Sequence, residues 1–370
     1  MAGIYVHIPF CKSRCLYCGF YSTTHREWQA KYVDAVIREH ALRSDYLRDE
    51  QIQTLYIGGG TPSQLSPDLL ERLLNHFFTL TNAESQPEVT VECNPDDITP
   101  ALATLLYNIG VNRISMGVQT FSDERLRFLR RRHNASEARK AVETLRNVGF
   151  RNISIDLMFG FPGETMTDWQ SDISEACALG IEHISAYSLM YEEGTPLYRM
   201  LEHGEVEEID EETSLRMYYY LIDRLSAAGY EHYEISNFAK PGFRSRHNSS
   251  YWNETHYLGL GAAAHSYNGV SRQWNIADIE RYIASVEAGS PDFEIEAIDE
   301  LTRYNDLITT ALRTADGLPI DSCIYRDYLL RCAQPLIDRS LLVITPQRRL
   351  RLTREGLYTS DDIMSELIKI

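Results

Sequence analysis

The sequence predicts an α/β fold, an open (β/α)6 partial TIM barrel followed by a small, mainly helical C-terminal unit. Three observations predict it. Six short β-branched or apolar runs recur through the first half of the chain, segments with helical periodicity separate them, and from about Asp299 the alternation gives way to helices. The runs are Ile4–Ile8, Thr54–Ile57, Val89–Glu92, Arg113–Val118, Ile153–Leu157 and His183–Leu189, and each reads as a buried strand. Helical segments fall around Trp28–Leu47, Pro67–Phe78, Thr99–Asn108, Ala135–Val148 and Met166–Leu179, several opened by Ser, Thr or Asp and closed near Gly. Regular β-then-α alternation implies parallel strands with right-handed crossovers, and six units are too few to close an eight-stranded barrel.

After the last run, Glu192–Gly204 is rich in charge, Gly and Pro and reads as a loop. A helix near Glu212–Ala228 and a Tyr-rich strand, Tyr230–Ile235, extend the barrel. Phe238–Asn253 reads as a long irregular loop, of the kind that carries function more often than packing. Helices at Leu301–Thr314 and Ile320–Leu336, a hairpin pairing Leu342–Thr345 with Leu350–Leu352, and a closing helix Arg354–Ile370 compose a helix-and-wing unit. The expected division is a barrel over residues 1–230, an extension over 231–295 and the C-terminal unit over 296–370.

Composition bounds the function. Hydrophobic residues make up 44% of 370, with 12 Phe and 23 Tyr, enough apolar surface for a packed interior. The balance of 53 acidic against 36 basic residues gives a net charge of −17, which repels phosphate backbones, so no nucleic-acid partner is expected. His7, Pro9, Lys12 and Arg14 interrupt the N-terminus before a signal-peptide core develops, and the expectation is a cytoplasmic protein. Seven cysteines, three of them within eight positions, read as a metal site plus isolated thiols rather than a disulfide framework.

Those three are Cys11, Cys15 and Cys18, on the loop after the first strand, spaced so that a short arc of backbone folds them round one face of a cube. Three thiolates hold three irons of a [4Fe–4S] cluster and leave the fourth open. A zinc site is the competing reading, but it needs a fourth ligand, which His7 or Cys93 would have to supply. An open iron suits chelation by the amino and carboxylate groups of S-adenosylmethionine, so the protein's share is to bind and orient that cofactor at the carboxyl ends of the strands. There the second strand ends in Gly58-Gly59-Gly60-Thr61-Pro62, whose backbone can approach a ligand closely, although a plain tight turn needs the same residues. Glu92, Gln119 and Asp156 end the third, fourth and fifth strands. One such polar residue is usually a loop anchor, whereas three in register argue for a shared ligand. Arg131, in Arg130-Arg131-Arg132, is a candidate partner for a carboxylate, with a solvated basic helix end as the alternative.

Tyr5-Val-His7-Ile-Pro9-Phe-Cys11, Gly58–Pro62, Val91-Glu92-Cys-Asn94-Pro95, Ser115-Met-Gly117-Val-Gln119-Thr-Phe121 and Asp156-Leu-Met-Phe-Gly160-Phe-Pro162-Gly163, in this order, resemble the family of oxygen-independent coproporphyrinogen III oxidases and their relatives, radical-SAM proteins. The resemblance runs through essentially the whole chain. It implies that Tyr5, Gly59, Glu92 and the backbone near Met190 contact the cluster-bound S-adenosylmethionine. It also implies that Tyr17, Gly60, Thr61, Gln119, Arg131 and Asp156 stand where the oxidases line a second molecule of it.

Two departures point to a haem-chaperone branch of that family rather than to the decarboxylating oxidase. The oxidase pattern continues CxxxCxxCxC, whereas Gly19 and Phe20 follow Cys18, and the oxidase carries a substantial extension before its cluster. A third feature agrees: His247-Asn248-Ser-Ser-Tyr251-Trp252 resembles the HNxxYW motif of the chaperone branch. An imidazole in a loop suits axial ligation of haem iron, and Tyr251 and Trp252 offer flat faces to a porphyrin; a surface histidine beside two core aromatics is the competing reading. The resemblance implies haem as cargo, apo-haemoproteins as recipients, a homodimer and peripheral membrane association. The alternative function is coproporphyrinogen III oxidation to protoporphyrinogen IX.

Overall fold

The computed structural model describes residues 2–48, 50–81 and 86–370. Six strands run parallel in sequence order: β1 (Ala2–Ile8), β2 (Ile52–Gly59), β3 (Glu88–Cys93), β4 (Arg113–Gln119), β5 (Ile153–Phe159) and β6 (His183–Ser188). Helices Gln29–Leu42, Pro67–Phe78, Pro100–Ile109, Ala135–Val148 and Met166–Ala178 lie between them. This is the open barrel that the alternation predicts. Strand alternation sorts the side chains: Ile4, Val6 and Ile8, Leu55 and Ile57, and Ile153, Ile155 and Leu157 pack into the core under the helices. The intervening Tyr5, Tyr56, Glu92, Ser115, Asp156 and Ser185 line an interior lumen. Local sequence opens two of these helices sharply. Asn134 with Glu137 and Thr165 with Asp168 form capping boxes that satisfy the first free backbone N–H groups.

The sheet is wider than expected. Among the described residues it holds twelve strands, because β7 (Glu231–Glu234) and β8 (Asn237–Ala239) form a hairpin on β6, and β9 (His256–Leu260), β10 (His265–Tyr267), β11 (Ser271–Asn275) and β12 (Phe293–Ala297) build out from β1. Of these, β9 runs parallel to β1 and the rest form an antiparallel meander. Segments such as HSY and SRQWN carry no period-2 apolar signal, so the sequence reading passed over them. What holds them is tertiary: Glu39 and Arg43, both buried, meet Gly261 N, Asn275, Ser266 and Tyr282 behind the meander.

Three local expectations are corrected. Glu192–Gly204 is not all loop but contains the helix Pro196–Glu202, with Thr195 Oγ1 accepting from Tyr198 N and Pro at its start. Phe238–Asn253 is not one irregular loop, since it begins inside β8 and carries the helix Arg246–Ser250. The final helix breaks into Arg354–Leu357 and Ser360–Leu367. Helices Glu300–Ala311 and Arg326–Asp338 and a sheet of β13 (Leu318–Pro319), β14 (Leu342–Ile344) and β15 (Arg349–Leu352) enclose a separate apolar core around Ile308, Leu329, Leu336 and Leu350. Among the described residues no helix is long and apolar enough to cross a membrane.

Candidate metal centre and adjoining lumen

The cysteine loop leaves β1 at its carboxyl end and is pinned at both sides. Thr23 N donates to Pro9 O at 2.6 Å and Cys11 N to Thr23 O at 2.9 Å. Further along, Leu16 is buried in a small apolar cluster with Leu129, Met158 and Leu197, and its backbone exchanges bonds with Leu129 O and Leu197 N. Between these anchors Cys11, Cys15 and Cys18 stand half-buried as free thiols around a cavity of about 180 Å³. Burial pushes the Cys11 and Cys18 thiols up, so each would need a metal or a positive neighbour to ionise. Arg131 is one such neighbour, with Nη1 3.4 Å from Cys15 Sγ.

The cavity fits a cluster. Three free thiols line one cavity, a donor set that suits three irons of one cube, whereas a structural zinc site takes four ligands. Opposite them, Gly60 keeps the space open: a Cβ there would lie 3.1 Å from Cys11 Sγ and 2.9 Å from the Pro9 carbonyl carbon. Gly59 has φ +110° and a Cβ would meet the His7 ring at 2.6 Å, so only glycine serves. Gly58 completes the run, packed over Tyr56 and Glu92. Thr61 Oγ1 lies 3.6 Å from Cys11 Sγ, and Gly60 N donates to Ile8 O at 2.8 Å, tying the glycine turn to the cysteine loop.

Glu92 is fixed from two sides, accepting from Tyr56 Oη at 2.6 Å and from Gly59 N at 3.0 Å. Burial pushes its carboxyl up to about 7 against those two bonds, and the charge of Asp156 adds to the rise. Burial also lifts Asp156 to about 6, opposed by a hydrogen bond from Ser185 and the charges of Arg113 and Arg131. Two carboxyls raised towards neutrality by burial suit a cationic ligand, whose charge favours their ionised form. Gln119 ends β4 at φ +70°, beside a register shift in the β4–β5 pairing. Tyr17, Glu92, Gln119 and Asp156 line both the cysteine cavity and the lumen, so the two spaces share a wall.

Among the described residues Arg131 makes no ion pair with a carboxylate and is held by carbonyl oxygens. Nη2 donates to Asn94 Oδ1 at 2.8 Å and to Gly117 O at 2.6 Å, leaving Nε buried without a partner. Its neighbour Arg132 takes the carboxylates instead, at 2.9 Å from both Asp96 and Asp97.

The lumen encloses about 700 Å³, within the range of small-molecule sites. Tyr5 lines it, donating to His7 Nδ1 at 3.0 Å, and Met190 stands at its mouth 59% exposed. Phe20, at the position of the absent cysteine, lines both spaces and is 70% exposed.

His247 is the main correction. It is not a loop imidazole open to a ligand but fully enclosed, at 0% exposure, on the helix Arg246–Ser250. Glu88 accepts from the backbone N–H groups of Arg246 and His247 at 3.0 and 2.9 Å and so turns the ring inward at the amino end of β1–β3. There Nδ1 meets Thr54 Oγ1 at 2.8 Å, Nε2 meets Tyr251 Oη at 2.9 Å, and the ring stacks on Tyr56. Burial pulls its pKa down to about 3, so the ring is neutral. From the same motif Asn248, Tyr251 and Trp252 do line the lumen. The sequence reading did not single out Tyr56, Asn94, Glu234 or Arg313. Tyr56 is two residues before the glycine run and shares its face, which is a usable signal; Arg313 has none, since it reaches the lumen from the C-terminal unit.

The radical SAM superfamily pattern matches residues 5–176. Among curated proteins, the chain is 32% identical to "Heme chaperone HemW" of Lactococcus lactis over 98% of this chain and 96% of that one. It is 35% identical to the protein of the same name from Bacillus subtilis, over 86% and 85%. Among solved structures, coproporphyrinogen III oxidase (HemN) from Escherichia coli superposes with a TM-score of 0.85 at 22% identity, over 100% of this chain and 90% of that chain, and so shares the fold. With the relatives matched over almost their full length and a cavity ringed by three free thiols beside a glycine turn, the chain belongs to the radical SAM superfamily and, within it, to the HemW family.

Proposed function

We propose that the protein is a haem chaperone, holding haem in the lumen and passing it to apo-haemoproteins, with a [4Fe–4S] cluster and S-adenosylmethionine in the adjoining cavity. Superfamily membership implies the cluster and S-adenosylmethionine; haem is the cargo that the HemW relatives' name carries. The observation that carries the reading is the lumen itself: about 700 Å³, walled in part by Tyr187, Tyr251 and Trp252, and sharing a wall with the cysteine cavity. Flat aromatic faces suit a porphyrin.

In this reading Cys11, Cys15 and Cys18 hold three irons. Gly59, Gly60 and Thr61 offer backbone and hydroxyl groups to the methionine part, Glu92 its charge to the ammonium, and Gln119 and Asp156 polar atoms to the ribose. Tyr5, Tyr17 and Met190 close the pocket, and Arg131 orients Asn94 and the Cys15 sulfur. When bound, the cluster supplies one-electron chemistry to the sulfonium. The setting is cytoplasmic, and a homodimer and contact with a membrane surface belong to the same reading.

The test is anaerobic reconstitution followed by haem titration and, in the same sample, coproporphyrinogen III with S-adenosylmethionine and a reductant. Stoichiometric haem binding, transfer to an apo-haemoprotein and no protoporphyrinogen IX are expected. Turnover to protoporphyrinogen IX without haem transfer would make the protein an oxidase instead.

A further inference from the structure

We propose that Arg313, supplied by the C-terminal unit, is the group that recognises a carboxylate of the lumen's ligand; this rests on the haem reading above and names how the cargo's acid groups are received. The charge census of the lumen carries it. Among the described residues lining that space, Glu92, Asp156, Glu192 and Glu234 are acidic and Arg313 is the one cation. A ligand with two propionates meets carboxyl groups over the rest of this wall and a guanidinium at one point, so its acid edge lies at Arg313 and its apolar flank elsewhere.

The guanidinium is held ready. Nη2 and Nε both reach Glu234 Oε1, at 2.9 and 3.0 Å, and the guanidinium carbon lies 5.0 Å from the centroid of the Trp252 ring. Glu234 is buried and its other oxygen is taken by Ser236 N and Asn237 Nδ2, so it cannot swing away. The backbone is fixed as well: Ile235 N donates to Arg313 O at 3.0 Å and Ala315 N to Tyr233 O at 2.9 Å, adding the segment to the edge of β7. Nη1 has no partner among the described residues, which leaves two N–H donors of a planar fork for an incoming carboxylate. The stacked, oriented guanidinium thus costs the ligand little reorganisation.

The experiment compares haem with its dimethyl ester on the full-length protein, wild type and the variants Arg313→Gln and Arg313→Lys, with far-UV circular dichroism confirming that each is folded. Wild type is expected to bind haem at least about tenfold more tightly than the ester, and Arg313→Gln to weaken haem by about tenfold while leaving the ester unchanged, so that discrimination disappears. Arg313→Lys, which keeps the charge, should restore part of it. Equal weakening of haem and ester in Arg313→Gln would show a structural role only, and equal binding of both by wild type would also overturn the proposal. If wild type binds neither, the haem reading itself fails.

Discussion

His247→Ala probes the barrel's closed end, and its effect should depend on pH. At pH 7 the substitution deletes a fully buried ring, costing about 3 kcal/mol on the scale of large-to-small core changes. It also strips Thr54 and Tyr251 of a partner, which adds about 1 kcal/mol or more. A total of about 4 kcal/mol is expected. The histidine's folded pKa is about 3 against an ordinary 6.5, so the unfolded chain takes up the proton first. The stability tied to keeping this ring neutral is therefore whole above pH 6.5 and is lost as the pH falls from there towards 3. Between pH 7 and pH 5 the wild type should lose about 2 kcal/mol more than the variant through this one group. The gap between the two proteins narrows from about 4 to about 2 kcal/mol. Urea denaturation of both, followed by far-UV circular dichroism at the two pH values, measures it. A gap that does not change with pH would refute the enclosed, neutral imidazole and restore an accessible one.

Three further outcomes are expected. Gly60→Ala pushes a methyl to 3.1 Å from Cys11 Sγ, so iron incorporated on anaerobic reconstitution should fall well below that of wild type, and a full complement would mean the turn yields easily. Arg131→Met removes the donors to Asn94, Gly117 and Cys15. Calorimetry should show S-adenosylmethionine bound about tenfold more weakly, roughly 1.4 kcal/mol, at unchanged iron content; unaltered affinity would reduce the arginine to a loop brace. Because Glu92 titrates at about 7 and must be ionised to hold a cation, S-adenosylmethionine should bind more tightly as the pH rises from 6 to 8, and Glu92→Gln should flatten that dependence. A profile of the same slope in both proteins would assign the titration to another group.

The barrel and the candidate cluster site were legible because each rests on short-range pattern. Parallel strands that pack one face under helices carry β-branched and apolar residues at those positions, so β1 to β6 stand out, and three closely spaced thiols lie within one loop. Glu92 and Gln119 were legible for the same reason, as polar residues at the ends of β3 and β4, whereas Asp156, expected to end the fifth strand, stands midway along β5, which runs on to Phe159. What the residues alone could not decide is the direction a side chain faces when the element carrying it is short. Nothing in HNSSYW says that Glu88, 159 positions earlier, captures the His247 N–H and turns the imidazole away from the lumen while Asn248, Tyr251 and Trp252 turn towards it. Likewise β9 to β12 are strands because β1 offers an edge and the buried Glu39 and Arg43 gather them, not because of any alternation of their own. The sequence by itself determined the six parallel strands, the helices between them, their order and the thiols. The tertiary structure decided which polar groups share a space, because burial, hydrogen-bond competition and the docking of Arg313 beside Glu234 are set by parts of the chain far apart in sequence.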